Sequence, residues 1–319
     1  MHPMRPILER EVIHTKMCTA CGGCAAICPV NAIEMDEMTA TIDHTCIGCI
    51  WCDYVCPVLE GHDKEIGYFK MALSAMSDFS GQDGGLTQAI LHVLFEENEI
   101  DCAIGVAHDE SWNPIPLIIK NQEEISRMAL SKYTYIPLLE SLAKAVKLGY
   151  KQIALTGVGC QVASAALFRE NFPEYGKAIA CILGLVCTKT FRHDDFFEYL
   201  KEEGFSPVDI NKIDIRKGIL SVEGLEERFE VRVRTLGHLS RIGCRYCDDV
   251  PAFSADIALG AVGSEQGYNS LIVRSYEGKR IWEIVKKSLS LTFGEVNLKP
   301  LAKLQIMKRA EVRDFMDAN

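Results

Sequence analysis

The chain has no unbroken apolar run approaching the ~20 residues that a membrane-spanning helix needs. Its longest, AIACILGLVC at 178–187, has the length of a buried strand. It also lacks an excess of positive charge. Its 34 basic against 44 acidic side chains leave a net charge of −10, which argues against electrostatic attachment to nucleic acid or an anionic membrane. The first residues, MHPMRPILEREV, carry no apolar signal core, so the expected location is the cytoplasm. HExxH, GxSxG and Walker patterns are absent, as is G-x-G-x-x-G, and hydrolase, nucleotide-triphosphatase and Rossmann dinucleotide readings lose support. Hydrophobic residues are not scarce. At 48% hydrophobic and 24% charged over 319 residues, the composition suits a soluble globular protein with one large domain or two unequal ones.

What the chain does have is 14 cysteines, more than core packing requires. Where thiols stay reduced, that number points to metal ligands rather than disulfides. Eight lie within 39 residues as two copies of C-x2-C-x2-C-x3-C-P: Cys18, Cys21, Cys24 and Cys28, then Cys46, Cys49, Cys52 and Cys56. This is the bacterial ferredoxin run. Cysteines three apart on a tight turn direct three thiolates at one cubane cluster, and the fourth, expected to open a helix, reaches the other cube. Cys18, Cys21, Cys24 and Cys56 are thus expected to hold one 4Fe–4S cluster, and Cys46, Cys49, Cys52 and Cys28 a second. Small residues Gly22, Gly23, Ala25 and Gly48 leave room for backbone amides near the cluster sulfurs. Trp51 is placed to shield the second cluster from water. Zinc is the competing reading of C-x2-C pairs, but two complete runs each ending in Cys-Pro argue against it.

Of the other six, Cys244 and Cys247 form a further C-x2-C turn, while Cys160 and Cys187 sit at the ends of apolar strands. They could converge on a third cube, or Cys160 and Cys187 could be buried small hydrophobes. Cys102 and Cys181 lie inside apolar strands and read as core.

The pattern divides the chain at a GHDKEIG linker (61–67) into a ferredoxin module (10–62) and a larger domain (68–319). Beyond residue 68, strands at 69–76, 102–107, 115–119 and 152–155 alternate with helices at 86–98, 122 onward (capped by Asn121, with Glu124 completing the box) and 137–148. A hairpin or small sheet is expected over 213–233, two strands at 255–260 and 268–275, and closing helices near 279–289 and 299–317. The fold class is α/β (α+β): a two-cluster ferredoxin module followed by a mixed α/β domain. The last 49 residues carry ten basic and six acidic side chains. That imbalance reads as a solvated helix face, with a role in orienting a partner as the alternative.

In SGQDGGLTQAI, glycines stand between a strand and a helix N-terminus, where backbone amides can cradle a phosphate; a plain turn fits as well. Ser131-Lys132-Tyr133 offers a hydroxyl, a cation and an aromatic, or an ordinary surface turn. Arg274 is a second candidate cation for an anionic cofactor or an ordinary surface charge.

Together QDGGLTQAILHVLFEENEIDCAIGV, LSKYTYIPLLESL, TGVGCQVASAALF, LGLVCTKTF, KIDIRKG and CRYCDD…ADIALGAVGSEQGYNSLIVR resemble the beta subunit of coenzyme F420 hydrogenases and dehydrogenases, over about residues 70 to 275. Members with a fused two-cluster module resemble the electron-input subunit of F420H2 dehydrogenase complexes. The resemblance implies FAD and one 4Fe–4S cluster in the main domain. Cys160, Cys187, Cys244 and Cys247 fall on the family's cluster cysteines, making three clusters in all. Gly84, Gly85, Thr87, Ser131 and Lys132 fall on segments that line the flavin site. Val158-Gly159 stand where the family often has Thr-Pro, and Ala261 where it often has Asp.

The implied activity is oxidation of reduced coenzyme F420 by hydride transfer to FAD, then single-electron passage through the clusters to redox partner subunits or a ferredoxin-like acceptor. A flavin belongs between a hydride donor and one-electron carriers because it handles both. Peripheral docking on a membrane complex would follow from such a partner. The alternatives are the reverse reaction, relatives that reduce a tetrapyrrole, and a non-catalytic iron–sulfur adaptor.

Overall fold

Apolar residues alternate along the central strands, and that period of two sorts one sheet into two buried faces. The computed structural model describes residues 5–60, 67–225 and 227–317; nearly all of the expected linker, 61–66, lies outside them. A hairpin of β1 (Ile33–Met35) and β2 (Ala40–Ile42) belongs to the N-terminal module. The main sheet contains β3 (Met71–Met76), β4 (Cys102–His108), β5 (Pro114–Ile119), β6 (Ile153–Val158) and β7 (Ile179–Leu185). A separate three-stranded sheet is made of β8 (Ile210–Arg216), β9 (Ile219–Gly224) and β10 (Arg228–Arg232). Then β11 (Ile257–Gly260), β12 (Asn269–Val273) and β13 (Thr292–Gly294) return to the main sheet, whose order is β13-β3-β12-β11-β7-β6-β4-β5.

Strands β4, β6, β7 and β11 run parallel, and β12 opposes β11. Because β3 in turn opposes β12, it points the same way as the parallel block. The carboxyl ends of β3, β4, β6, β7 and β11 therefore meet along one edge, the edge at which open α/β sheets bind ligands. Cys102, Ile104, Ile153 and Leu155 face one side, Ala103, Ala154, Cys181 and Leu183 the other. Cys102 and Cys181 are fully buried in their strands.

Helices Leu139–Lys147 and Gly159–Asn171 cover the first face; Leu86–Glu96 and Tyr276–Ser288 cover the second. The N-terminal module packs on the first face and shares its core: Leu8, Val12, Ile27 and Val55 join Leu139 and Phe168 in one apolar cluster. Hydrogen bonds fix the junction. Ser164 Oγ donates to the Val55 carbonyl at 2.8 Å, and the amides of Leu138 and Leu139 to the Cys21 carbonyl at 3.2 and 3.3 Å. Sequence periodicity missed the short helix Pro173–Ala178 and the three-residue β13, both below the length at which a period is readable.

Asp256 ties the sheet to its helices. Only 1% exposed at its side chain, it accepts from Arg169 at 2.7 Å, from the Ile182 amide at 2.8 Å and from Ser275 Oγ at 2.6 Å. Asp256→Ala leaves a buried amide and a guanidinium without their acceptor. The expected loss is about 3 kcal/mol, read from urea denaturation.

Candidate functional site

Both cysteine runs fold into the same backbone turn. The second residue after the first cysteine has positive φ in each run (Ala20 +54°, Gly48 +70°), and so does the fourth (Gly22 +88°, Ile50 +60°). Alternating left-handed residues turn successive N–H groups toward one point, the arrangement of an anion-binding nest. The Ala20 amide donates to Cys18 Sγ at 3.3 Å and the Ala32 amide to Cys28 Sγ at 3.2 Å. One expectation needs correcting: Cys28 does not open a helix but ends the helix Gly23–Ile27. Cys56 does precede a helix, Pro57–Glu60.

Cys28 shares a single hollow with Cys46, Cys49 and Cys52, alongside Val30, Ile47 and Trp51. Trp51 covers that hollow from outside, 44% exposed and edge-on to Phe172. On the far side of the module, burial pushes the Cys56 thiol well up, with the charges of Cys21 and Cys18 adding to the effect. Cys24 is raised by burial and then by Cys21, Cys18 and Cys56. The two runs thus exchange their fourth cysteines in space.

A third cysteine group lies at the carboxyl edge of the main sheet. Cys160 lies in the first turn of the helix after β6, Cys187 follows β7, Cys244 lies in the turn at Ile242–Arg245, and Cys247 comes just after it, its amide bonded back to the Gly243 carbonyl. They line one hollow with Thr19, Tyr135, Thr190 and Arg241. Among the described residues, no three Cys, His, Asp or Glu side chains converge as around a lone metal ion. Burial raises the Cys160 thiol to about 12 and pushes Cys187 and Cys247 up as well. Thiols so placed ionise only together with a cation that replaces their protons, so the four form a donor set for a cationic metal centre.

At Gly159 a β-carbon would come within 2.4 Å of the Asp249 carbonyl oxygen, so this backbone leaves no room for a side chain there. The helix Lys299–Asp317 clamps the 244–250 loop from behind: Lys308 Nζ donates to the Cys244 carbonyl, and Gln305 accepts from the Val250 amide at 3.0 Å. Lys308 is therefore a buried exception to the expected solvated basic face.

The glycine turn after β3 reaches the same edge. Gly85, at φ +66°, caps the helix Leu86–Glu96, and Thr87 lies in that helix's first turn. Gly84 is wedged against the Ala75 carbonyl and Asn269. Gln82 joins this turn to Ser131, accepting from its amide at 3.0 Å, and to β8 by donating to the Ile213 carbonyl at 3.0 Å. The two cations expected here are engaged elsewhere. Lys132 Nζ donates to the carbonyls of Met128, Ala129 and Leu130 at 2.8, 2.6 and 3.0 Å, and burial lowers its pKa to about 8. Arg274 stands past the opposite end of β12, its guanidinium donating to the carbonyls of Tyr68 and Pro251. The cations beside the turn are Arg216, paired with Asp83 and with Asp214, and Lys212, whose Nζ donates to the Gln82 carbonyl at 3.2 Å. Nothing local in the sequence marks Arg216, Arg241, Tyr135 or Lys308, because each reaches its place through tertiary packing.

These features define an iron–sulfur protein: a ferredoxin-type module fused to a mixed α/β domain that carries further cysteines at its ligand edge. Residues 11–34 match the profile "4Fe-4S binding domain". Residues 72–143 and 150–299 match the N-terminal and C-terminal profiles of "Coenzyme F420 hydrogenase/dehydrogenase, beta subunit". The chain belongs to the family of coenzyme F420 hydrogenase/dehydrogenase beta subunits. It is 32% identical to a subunit of the F(420)H(2) dehydrogenase of Methanosarcina mazei, over 94% of this chain and 91% of that one. It is 33% identical to the coenzyme F420-dependent sulfite reductase of Methanocaldococcus jannaschii over 93% of its own length, but spans only 50% of that protein. In fold it resembles a chain of the F420-reducing NiFe hydrogenase complex of Methanosarcina barkeri, with TM-score 0.75 at 24% identity, covering 81% of this chain and 94% of that one. No described helix is long and apolar enough to cross a membrane.

Proposed function

We propose that this chain is an electron-input subunit that oxidises reduced coenzyme F420 and passes electrons singly to a redox partner. The observation that carries the reading is the serial placement of three cysteine cages. The main-domain cage shares Thr19 and Tyr135 with the Cys21 loop, and Cys160 lies close enough to Cys21 for their charges to interact. The Cys28–Cys46–Cys49–Cys52 hollow then lies beneath a surface of exposed Ile47, Trp51 and Tyr54, where a partner would dock.

In this reading Cys160, Cys187, Cys244 and Cys247 hold one 4Fe–4S cluster, Cys18, Cys21, Cys24 and Cys56 a second, and Cys46, Cys49, Cys52 and Cys28 a third. The glycine turn at Gly84 and Gly85, Thr87 at the helix N-terminus and Ser131 would hold FAD. The flavin, when bound, accepts a hydride and releases electrons one at a time. The chain's own residues position these groups: the sheet edge brings the glycine turn to the strand ends that carry Cys160 and Cys187. Lys132 holds the 128–130 carbonyls, so that Ser131 faces the turn. Arg274 steadies the 251–256 segment and contacts no cofactor in this scheme.

Purified and reconstituted anaerobically, the chain is expected to show a flavin absorption band and to reduce viologen with reduced coenzyme F420. A chain with full iron and no flavin would overturn the proposal in favour of an electron-transfer adaptor. Activity only toward F420 reduction would reverse its direction.

A further inference from the structure

Arg241 is a buried cation that the proposed chemistry leaves unassigned. It is 1% exposed, and its guanidinium lies over the Tyr135 ring at 3.6 Å. Its nitrogens donate to the Glu37 carbonyl, to the Thr19 carbonyl at 2.8 Å and to Thr190 Oγ1 at 3.5 Å. All three acceptors are neutral. Burying a guanidinium with neutral acceptors alone is unfavourable, so negative charge nearby is needed to offset it.

The second neighbours supply the position of that charge. Thr19 lies between Cys18 and Cys21 in the first ferredoxin turn. Thr190 Oγ1 is 3.5 Å from Cys244 Sγ, and the Tyr135 hydroxyl 3.3 Å from Cys160 Sγ. Each group that touches Arg241 on the main-domain side thus touches a cysteine of one cage, and Thr19 belongs to the other. Burial opposes the charge on Arg241, and the Cys244, Cys160 and Cys18 sulfurs, once ionised as cluster ligands, would favour it. No other described Arg or Lys combines near-complete burial with contacts to both cages; Lys308 meets only the Cys244 side.

We infer that Arg241 is a positioning cation that raises the reduction potentials of the two clusters it separates, the main-domain cluster most, and so sets the first hop into the ferredoxin module. The inference rests on the cluster assignment above. Each reduction adds one electron to a cage, with no bond made and no proton moved, and a fixed positive charge favours the more negative reduced state. Low local dielectric makes the effect large at this buried position.

The test is EPR-monitored potentiometry on the anaerobically loaded full chain, with iron counted in every sample. Arg241→Gln is expected to lower the reduced-to-oxidised ratio of the main-domain cluster about tenfold at fixed poise, equivalent to about 59 mV for one electron. The first ferredoxin cluster should shift less, and the distal cluster at Cys46, Cys49, Cys52 and Cys28 should not shift. Arg241→Lys keeps the charge and loses the fork, so its potentials should stay within about twofold in that ratio of the wild type. Equal shifts in both variants, or none in Arg241→Gln at full iron, would overturn the inference while leaving the cluster assignment intact. Should Arg241→Gln fail to load, the lysine variant decides alone: a large shift there means shape matters and charge does not. A wild-type chain lacking the main-domain cluster removes both the assignment and the inference.

Discussion

Cys244→Ala is expected to lower bound iron from about twelve to about eight atoms per chain, the loss of one four-iron cube out of three. Cys244 and Cys247 lie on one short turn, and the hollow they line has no spare cysteine among the described residues to replace a lost ligand. Thr190 would lose the sulfur that its amide and hydroxyl approach at 3.5 Å, a small change for the fold. The loop itself keeps its ties through Gln305, Lys308 and the Cys187 amide, which donates to the Val250 carbonyl at 3.0 Å. The variant should therefore fold, keep its ferredoxin clusters and keep its flavin. Electron passage from reduced coenzyme F420 to the ferredoxin clusters should fall roughly a hundredfold, the upper range for losing a metal's support. Rapid-freeze EPR of the ferredoxin signals checks this. Undiminished transfer with twelve iron would remove Cys244 from the ligand set.

Gly85→Ala tests the other end of the path. At φ +66° any β-carbon costs about 1–2 kcal/mol, and here it would also come within 2.0 Å of the Phe79 carbonyl oxygen. The atom it meets is backbone, so the turn itself has to move. The turn links β3 to the helix Leu86–Glu96 and touches β8 only through Gln82, Asp83 and their partners. Its displacement should leave the sheet and the cysteine cages in place. Flavin content is expected to fall from about one per chain to roughly a tenth, with iron unchanged, since the cofactor depends on how the protein presents its binding turn. Flavin absorbance against iron content measures it. Full flavin in the folded variant would move the flavin site away from this turn.

Spacing alone carried the reading of the two ferredoxin runs, because a three-residue interval encodes a local turn and the turn is visible in the chain. The alternating left-handed residues are equally local; two of the four are glycines, but Ala20 and Ile50 give no sign of their conformation. The strands of the main sheet were legible from apolar runs, and with them the placement of Cys160 and Cys187 at strand ends. Lys132 and Arg274 looked like cations available to a ligand. Their engagement with carbonyl oxygens depends on which segments pack beside them, and no local pattern records that. The same holds for Lys308, which sits in a basic stretch resembling a solvent face, and for Arg241, whose partners are spread from Thr19 to Thr190.

The module and the sheet share one apolar core, with Ser164 bonded to Val55 and Leu138 to Cys21 across the seam. Such a seam is the opposite of a swinging arm. If the electron leaves the main domain through it, no diffusive search separates donor from acceptor. The internal transfer rate should then be indifferent to added sucrose or glycerol, and any viscosity dependence in turnover would report the encounter with the outside partner.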